Sequence, residues 1–178
     1  MKNIIFILSI VFLFISCLTT NKELSDQYDK RRLQEILQER MDKLSPQANI
    51  LINKGYPIII SYLGKLYADS AGGVYVRVIY SNISNKDIKY VYFNVLPYNR
   101  VNDPVKCSIT DTSNVSLEKI GPDKPGLINE LVADYGVVWY NSTIEYVSLE
   151  SIKVIFMDNT ELTYDKQQSN EMIYKRNR

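Results

Sequence analysis

Side chains that could support catalysis are few in this sequence, and histidine is absent. The chain of 178 residues contains no His and two Cys. Without an imidazole, Ser–His and Cys–His nucleophilic arrangements and His-ligated zinc sites are excluded. Carboxylate pairs and a Ser–Lys pair are the remaining options, but no Gly-rich phosphate loop, GxSxG sequence or calcium-loop spacing is present. We therefore expect no hydrolytic or transferase activity.

The acidic residues that can be placed lie in or beside predicted turns. They are Asp103, Asp111, Asp123, Asp158 and Glu161. A turn keeps a carboxylate solvated and ionised, which suits neither an acid catalyst nor a desolvated nucleophile. Asp158 and Glu161 flank a predicted hairpin and could bind a cation weakly, but two carboxylates without further ligands are more typical of a solvated turn. The sequence therefore predicts no catalytic residue, no metal site and no cofactor.

The N-terminal stretch MKNIIFILSIVFLFISCLTT contains the one residue for which a modification is predicted. Lys2 precedes an apolar run from Ile4 to Ile15, and this run of about a dozen residues is shorter than the roughly 20 that a membrane-spanning helix needs. A positive charge, a short apolar run and a small residue are typical of a signal peptide. The small residue is Ser16, and the pair Ser16-Cys17 resembles the lipobox of bacterial lipoproteins, in which the Cys is lipidated and becomes the mature N-terminus. An ordinary secretory signal is the alternative.

The lipoprotein resemblance implies a location for the mature chain. Residues 1–16 would be the signal peptide, Cys17 the lipidated residue and residues 17–22 a polar tether. Two or three acyl chains, palmitate among them, bury enough methylene groups for stable anchoring. The protein would be held at the outer membrane or surface of a bacterial cell envelope, on the extracytoplasmic side. Cys107, the remaining thiol, cannot form an internal disulfide and is predicted to be a small residue in a strand.

Basic and acidic residues are nearly balanced, which bears on the class of partner. The chain has 21 Lys and Arg against 20 Asp and Glu, and removal of the signal peptide with Lys2 makes the two numbers equal. Nucleic-acid binding needs a basic surface, so nucleic acid is not an expected partner. The expected partners are the membrane, through the N-terminal lipid, and an unidentified envelope protein or glycan.

An amphipathic helical segment is predicted for residues 23–55. Its apolar residues recur at helical spacing and form one stripe: Leu33, Ile36, Leu37, Met41 and Leu44. Ser45-Pro46 starts a second short helix over residues 46–54, and Gly55 is its C-terminal stop. We expect the stripe to dock on the sheet that follows, with a stalk or the binding of a partner helix as the alternatives.

From Pro57 onward the apolar residues alternate with period two, which is typical of half-buried strands. GPDKPG, residues 121–126, is the strongest turn signal in the chain. Several short strands separated by turns predict an antiparallel β-sandwich over residues 56–165. Residues 166–178, KQQSNEMIYKRNR, have no clear period and are predicted to be a polar tail. The expected fold is thus mostly β, preceded by the N-terminal amphipathic helix.

Part of this region resembles a known class of domain. The segments SNISNKDIKYVYFNVLPYNRVNDPVKCSI, GP..PG and VVWYNSTIEYVSLESIKVIFMDNTE resemble an immunoglobulin-like domain of bacterial lipoproteins and secreted proteins, similar in style to FxLYD-type domains. The resemblance covers roughly residues 73–165. Asn102 and Asn159 stand where the pattern has Gly, and Asn tolerates left-handed backbone better than most residues. The resemblance implies an immunoglobulin-like sandwich in an extracytoplasmic setting and supplies no catalytic residues.

Tyrosine is abundant, with 14 copies, and suggests a binding surface. Exposed aromatic rows stack on sugar rings or anchor protein partners, although strands also favour aromatic residues for structural reasons. The candidate binding residues are Tyr75, Tyr90, Tyr92, Tyr140 and Asn141. We therefore expect a non-catalytic, membrane-anchored envelope lipoprotein whose sandwich binds protein or glycan. An envelope enzyme or enzyme inhibitor acting on cell-wall material is the alternative, and a structural role with the helix as a spacer is a third.

Overall fold

A computed structural model describes residues 46–67, 72–126, 128–132 and 136–175, together with the single residues 32, 39 and 42. The chain divides into two units, Met1–Lys43 and Leu44–Arg178, and the fold described below belongs to the second. Arg32, Glu39 and Asp42 are helical. The predicted signal peptide, Cys17, the tether and the apolar stripe from Leu33 to Leu44 lie outside the described residues. None of the described helices is long and apolar enough to span a membrane.

Eight strands dominate the described part of the second unit. In chain order they are β1 (Ile58–Tyr67), β2 (Gly73–Asn82), β3 (Ile88–Tyr98), β4 (Val115–Asp123), β5 (Ile128–Val132), β6 (Trp139–Tyr140), β7 (Tyr146–Phe156) and β8 (Glu161–Tyr164). The first sheet has the order β1-β2-β5, with β6 also paired to β2, and the second has the order β4-β3-β7-β8. All of these pairings are antiparallel. The predicted mostly β, antiparallel architecture is confirmed, and it is consistent with a sandwich.

The alternation in the sequence determines which side chains fill the core between the sheets. The inward-facing residues of β2 and β3 are fully buried: Val74, Val76, Val78, Tyr80, Val91, Phe93 and Val95. Trp139 of β6 is also fully buried, and its indole N–H donates to the carbonyl of Ser113 over 2.9 Å. Period-two alternation accounts for the buried Trp139 beside the partly exposed Tyr140, because a strand presents successive side chains to opposite faces.

A short helix covers part of the outer face of the first sheet. Residues 46–53 are helical and form α1. Ala48 and Leu51 of α1 pack on Ile59 of β1 in a small apolar cluster separate from the main core. Gly55 follows with φ of +79°, a left-handed conformation that glycine adopts without strain. The described residues agree with the helix predicted over residues 46–54 and with its stop at Gly55, and this helix docks on the sheet.

The C-terminal segment differs from the polar tail predicted for residues 166–178. Lys166–Glu171 form helix α2, whose first turn is closed by a capping box between Asp165 and Gln168. Met172 is fully buried in the main core, and its carbonyl accepts from the N–H of Ile60 in β1 over 2.8 Å. Local periodicity misses this arrangement because one buried Met after a helix of six residues leaves no repeating apolar pattern.

Candidate binding surface

Tyr90 and Tyr92 lie next to each other on the outer face of the second sheet. They alternate along β3 with the buried residues Val91 and Phe93, so both phenol rings point away from the core. Their ring centroids are 6.2 Å apart, and both side chains are partly exposed. The sequence prediction that these two tyrosines share an accessible face is therefore consistent with the structure.

The neighbouring strands place both apolar and polar side chains around Tyr90 and Tyr92. Tyr90 lies between Ile120 of β4 and Ile155 of β7. The Tyr92 hydroxyl donates to the Glu118 carboxylate over 3.0 Å. Partial burial and the bond to Glu118 raise the pKa of Tyr92, so its hydroxyl stays protonated over the physiological range. The pair thus offers an apolar platform with a polar margin.

A second pair of tyrosines lies further along the same face. Tyr98 at the end of β3 and Tyr146 at the start of β7 are opposite each other in register. Their rings are stacked, with centroids 5.2 Å apart and an interplanar angle of 6°. The Tyr146 hydroxyl donates to the side-chain oxygen of Asn102 over 3.1 Å. Sequence reasoning missed this pair because the two residues are distant in the chain and meet only through the β3–β7 register.

Small polar residues connect the two aromatic pairs. Asn94 of β3 donates to the hydroxyl of Ser151 in β7 over 2.7 Å. Ser116 of β4 is opposite Asn94 and exposed. We refer to the outward-facing residues Tyr90, Tyr92, Asn94, Tyr98 and Tyr146 as the tyrosine face. Leu96, also partly exposed, faces the same way between Asn94 and Tyr98, so the strip along β3 carries polar and aliphatic residues between its aromatic ends.

The other predicted binding residues lie elsewhere. Tyr75 and Tyr140 belong to the first sheet, and both are partly exposed. Tyr140 is opposite Gly73, two positions from Tyr75, so the two tyrosines share the outer face of that sheet. The outer faces of two packed sheets point in opposite directions. The five predicted residues therefore do not form one surface. They were predicted together because the sequence does not show which strands share a sheet.

Asn141 has a structural role in this fold. Its side-chain amide donates to the carbonyl of Lys106 over 2.8 Å. Its side-chain oxygen accepts from the backbone N–H and the hydroxyl of Thr143. These bonds fix the turn after β6, as Asn side chains commonly do. The amide is thus engaged within the chain and is a poor candidate for ligand contact.

Cys107 is buried in the loop between β3 and β4 and not in a strand, in contrast to the sequence prediction. The strand predicted around Cys107 does not form because this segment turns back on itself, with the N–H of Asp111 bonded to the carbonyl of Cys107. The sulfur accepts from the N–H of Tyr140 over 3.3 Å. Burial raises the pKa of Cys107, but hydrogen bonds from Thr110 and from the N–H groups of Tyr140 and Ile109 outweigh it and lower the pKa to about 7.

This environment predicts a pH dependence of stability. The pKa of Cys107 in the folded protein lies below the value of 9.0 of a free thiol. The stabilisation of the folded state by the Cys107 thiolate is therefore fully present above the unfolded pKa, and it is lost as the pH falls through about 7. We expect the stability advantage of the wild type over Cys107→Ala to rise by on the order of 1 kcal/mol from acidic to alkaline pH. Denaturant unfolding of both proteins under reducing conditions measures it, and a pH-independent difference would contradict the prediction.

Four of the five acids considered for catalysis or cation binding have a basic or phenolic partner, and for Asp111 it is the Lys106 ammonium at 3.1 Å. The Asp158 carboxylate accepts a hydrogen bond from the Lys86 ammonium over 2.7 Å, and this hydrogen bond lowers the pKa of Asp158. Glu161 is 2.8 Å from the ammonium of Lys153. Asp123 is 3% exposed and accepts from the hydroxyl of Tyr80, so the expectation of a solvated carboxylate is wrong at this position.

The burial of Asp123 follows from tertiary contacts of the predicted GPDKPG turn. The carbonyl of Asp123 accepts from the Asn82 side chain over 2.8 Å, and the carbonyl of Asn82 accepts from Gly126 N–H. These bonds hold the connection between the two sheets against the end of β2. Among the described residues, no group of three or more Cys, Asp and Glu is placed to hold a metal ion.

The described residues also form a cleft of about 490 Å³. It lies between the connection from α1 to β1 and the β2–β3 and β7–β8 turns, and Tyr56, Ile83, Phe156 and Leu162 contribute to its apolar lining. The Lys86 ammonium at this cleft is already paired with Asp158. Because this polar group is engaged within the chain, the cleft offers less for ligand recognition than the tyrosine face.

Comparisons with protein-family models, curated proteins and solved structures gave no match to this chain. The function is accordingly inferred from the chain's own residues. Of these, the tyrosine face combines partly exposed aromatic rings, hydrogen-bonding groups and a regular sheet that holds them in place. It is the candidate site on which the functional proposal is based.

Proposed function

We propose that the protein is a non-catalytic, membrane-anchored envelope lipoprotein whose immunoglobulin-like sandwich binds a protein or glycan through the tyrosine face. The observation that carries the proposal is the presence of two tyrosine pairs on the outer surface of one sheet. Tyrosine supplies a large, rigid contact area with a polar end, and it is enriched at binding hot spots. The sheet holds these rings in position before any partner arrives, which reduces the entropy lost on binding.

The anchoring half of the proposal is supported by the N-terminal sequence. The short apolar run from Ile4 to Ile15 ends at Ser16-Cys17, as in the lipoprotein pattern. A lipidated Cys17 would hold the sandwich at an extracytoplasmic membrane surface. An anchored domain with an accessible sheet face is suited to holding a partner or a cell-wall polymer close to the membrane.

The alternative of an envelope enzyme or inhibitor has less support. Glycosidase chemistry needs two carboxylates about 5–10 Å apart across a cleft. Asp158 and Glu161 are each paired with a lysine on the surface, and Asp123 is bonded to Tyr80 in the core. These engagements favour binding over turnover.

The test uses the full chain in cells with a photo-crosslinking residue at Ser116, which is exposed beside Asn94. We expect light-dependent adducts that decrease at least several-fold when Tyr92→Ala is added, because the aromatic platform is lost. Tyr62→Ala is the matched control, since Tyr62 is 41% exposed and lies on the first sheet. Adducts that persist unchanged in the Tyr92→Ala background would contradict the proposed site.

The same cells test the anchor. Cys17→Ala should release the protein from the membrane fraction or leave it as an unprocessed precursor, because no acyl chains can be attached. Formation of the Ser116 photo-crosslinked adducts should then decrease, although the tyrosine face itself is unchanged in this variant. A mature wild-type protein whose intact mass shows no lipid on Cys17 would contradict the anchoring half without affecting the face.

A further inference from the structure

We infer that the ligand of the tyrosine face is a neutral, linear oligosaccharide that lies along β3. This inference rests on the proposed function and specifies the class of ligand. Three observations carry it: the charge balance of the face, the separation of its aromatic pairs, and the polar residues between them.

The charged groups on and beside the tyrosine face have interaction partners within the chain. The Lys153 ammonium is 2.8 Å from the Glu161 carboxylate, and the Lys166 ammonium is 2.8 Å from the Glu150 carboxylate. Glu118 accepts from the Tyr92 hydroxyl, and the Lys89 ammonium is 5.5 Å from the centroid of the Tyr90 ring. A charged ligand would have to compete with these interactions, whereas a neutral ligand leaves them in place. The electrostatics of the face therefore favour a neutral ligand.

The separation of the two aromatic pairs suits an extended polymer. Tyr92 and Tyr98 are six positions apart on β3, which corresponds to about 20 Å at a strand rise of about 3.4 Å per residue. An extended oligosaccharide of several rings can reach both pairs at once. A disaccharide is too short to do so and would contact only one pair.

The polar residues between the pairs match the chemistry of a sugar chain. Sugar rings carry apolar C–H faces that stack on aromatic rings, and hydroxyl groups that need hydrogen-bond partners. Asn94 and Ser151 lie between the aromatic pairs and offer amide and hydroxyl groups at the surface. Protein hot spots instead cluster at a well-packed, desolvated centre. A centre with amide and hydroxyl groups beside the one aliphatic side chain of Leu96 therefore favours a glycan over a protein.

The test measures binding of neutral oligosaccharides to the full lipidated chain in detergent by calorimetry. The ligands are linear oligomers of N-acetylglucosamine and of glucose, each as a disaccharide and a hexasaccharide. We expect at least one hexasaccharide to bind about tenfold or more tightly than its disaccharide, a difference of ~1.4 kcal/mol. Its Kd should change by less than about twofold between low and high salt, because salt screens only charged interactions.

Variants at the two ends of the face complete the test. Tyr92→Ala and Tyr146→Ala should each raise the Kd about tenfold, ~1.4 kcal/mol, while Tyr62→Ala should leave it unchanged. Tyr146 and Tyr62 are matched in exposure, at 40% and 41%. Circular dichroism of each variant checks that the fold is intact.

Two results would overturn the inference. The first is that no neutral hexasaccharide binds, and the second is that binding survives both face substitutions. If the Ser116 crosslinker meanwhile forms a Tyr92-dependent adduct with a protein, the proposed binding face stands and the glycan assignment fails. If neither crosslinking nor calorimetry depends on Tyr92, the proposed face itself fails.

Discussion

Ending the chain at Asp165 is expected to cost about 5 kcal/mol or more of unfolding free energy, much of the 5–15 kcal/mol typical of a domain. The truncation removes α2 and Met172, whose side chain is fully buried in the core. It also removes the backbone bonds that Ile60 makes with Met172 and Tyr174. Loss of a buried Met alone costs about 2–5 kcal/mol, and the exposed edge of β1 adds to it.

Denaturant unfolding followed by the fluorescence of the single Trp measures this effect. A chain ending at Lys175 is the control, because it retains every described contact. Met172→Ala in the full chain separates the side-chain contribution from that of the backbone pairing. A truncated protein within about 1 kcal/mol of the wild type would show that the C-terminal segment is not part of the folding unit.

Trp139→Ala is expected to lower the free energy of unfolding by about 3–5 kcal/mol. The indole is fully buried, and its N–H bonds to the Ser113 carbonyl, which links β6 to the loop before β4. Truncation leaves a large cavity in the core and deprives that carbonyl of its donor.

Because the substitution removes the only Trp, unfolding is followed by far-ultraviolet circular dichroism. Trp139→Phe is the matched variant, since it keeps an aromatic ring but loses the N–H, and its cost should be smaller. A loss below about 1 kcal/mol for Trp139→Ala would be inconsistent with the burial of this side chain.

The strands and the core were predictable because their information is local. Alternating Val residues followed by Tyr80 predict the inward face of β2, and the burial of Trp139 follows from the same alternation. Gly55 likewise marks the C-terminal end of α1 through its own backbone preference. Each of these signals depends on neighbours within a few residues, so it can be read before the chain is folded.

Several features of the fold and of the candidate site depend on contacts between distant residues. Tyr98 and Tyr146 stack only because β3 and β7 pair in one register. Asp123 was expected to be solvated in its turn, but that turn packs against Tyr80 and Asn82 of another sheet and buries the carboxylate. No pattern within the turn carries this information.

By itself, the sequence determined the class of protein: a mostly β chain without histidine chemistry, rich in tyrosine, with a predicted lipid anchor at Cys17. The tertiary structure decided which tyrosines share a face. Period-two alternation shows that a side chain faces outward, but strand pairing decides which sheet it belongs to. Tyr75 and Tyr140 therefore lie on the first sheet, away from Tyr90 and Tyr92 on the second. Tyr98 and Tyr146 lie on the same face as Tyr90 and Tyr92.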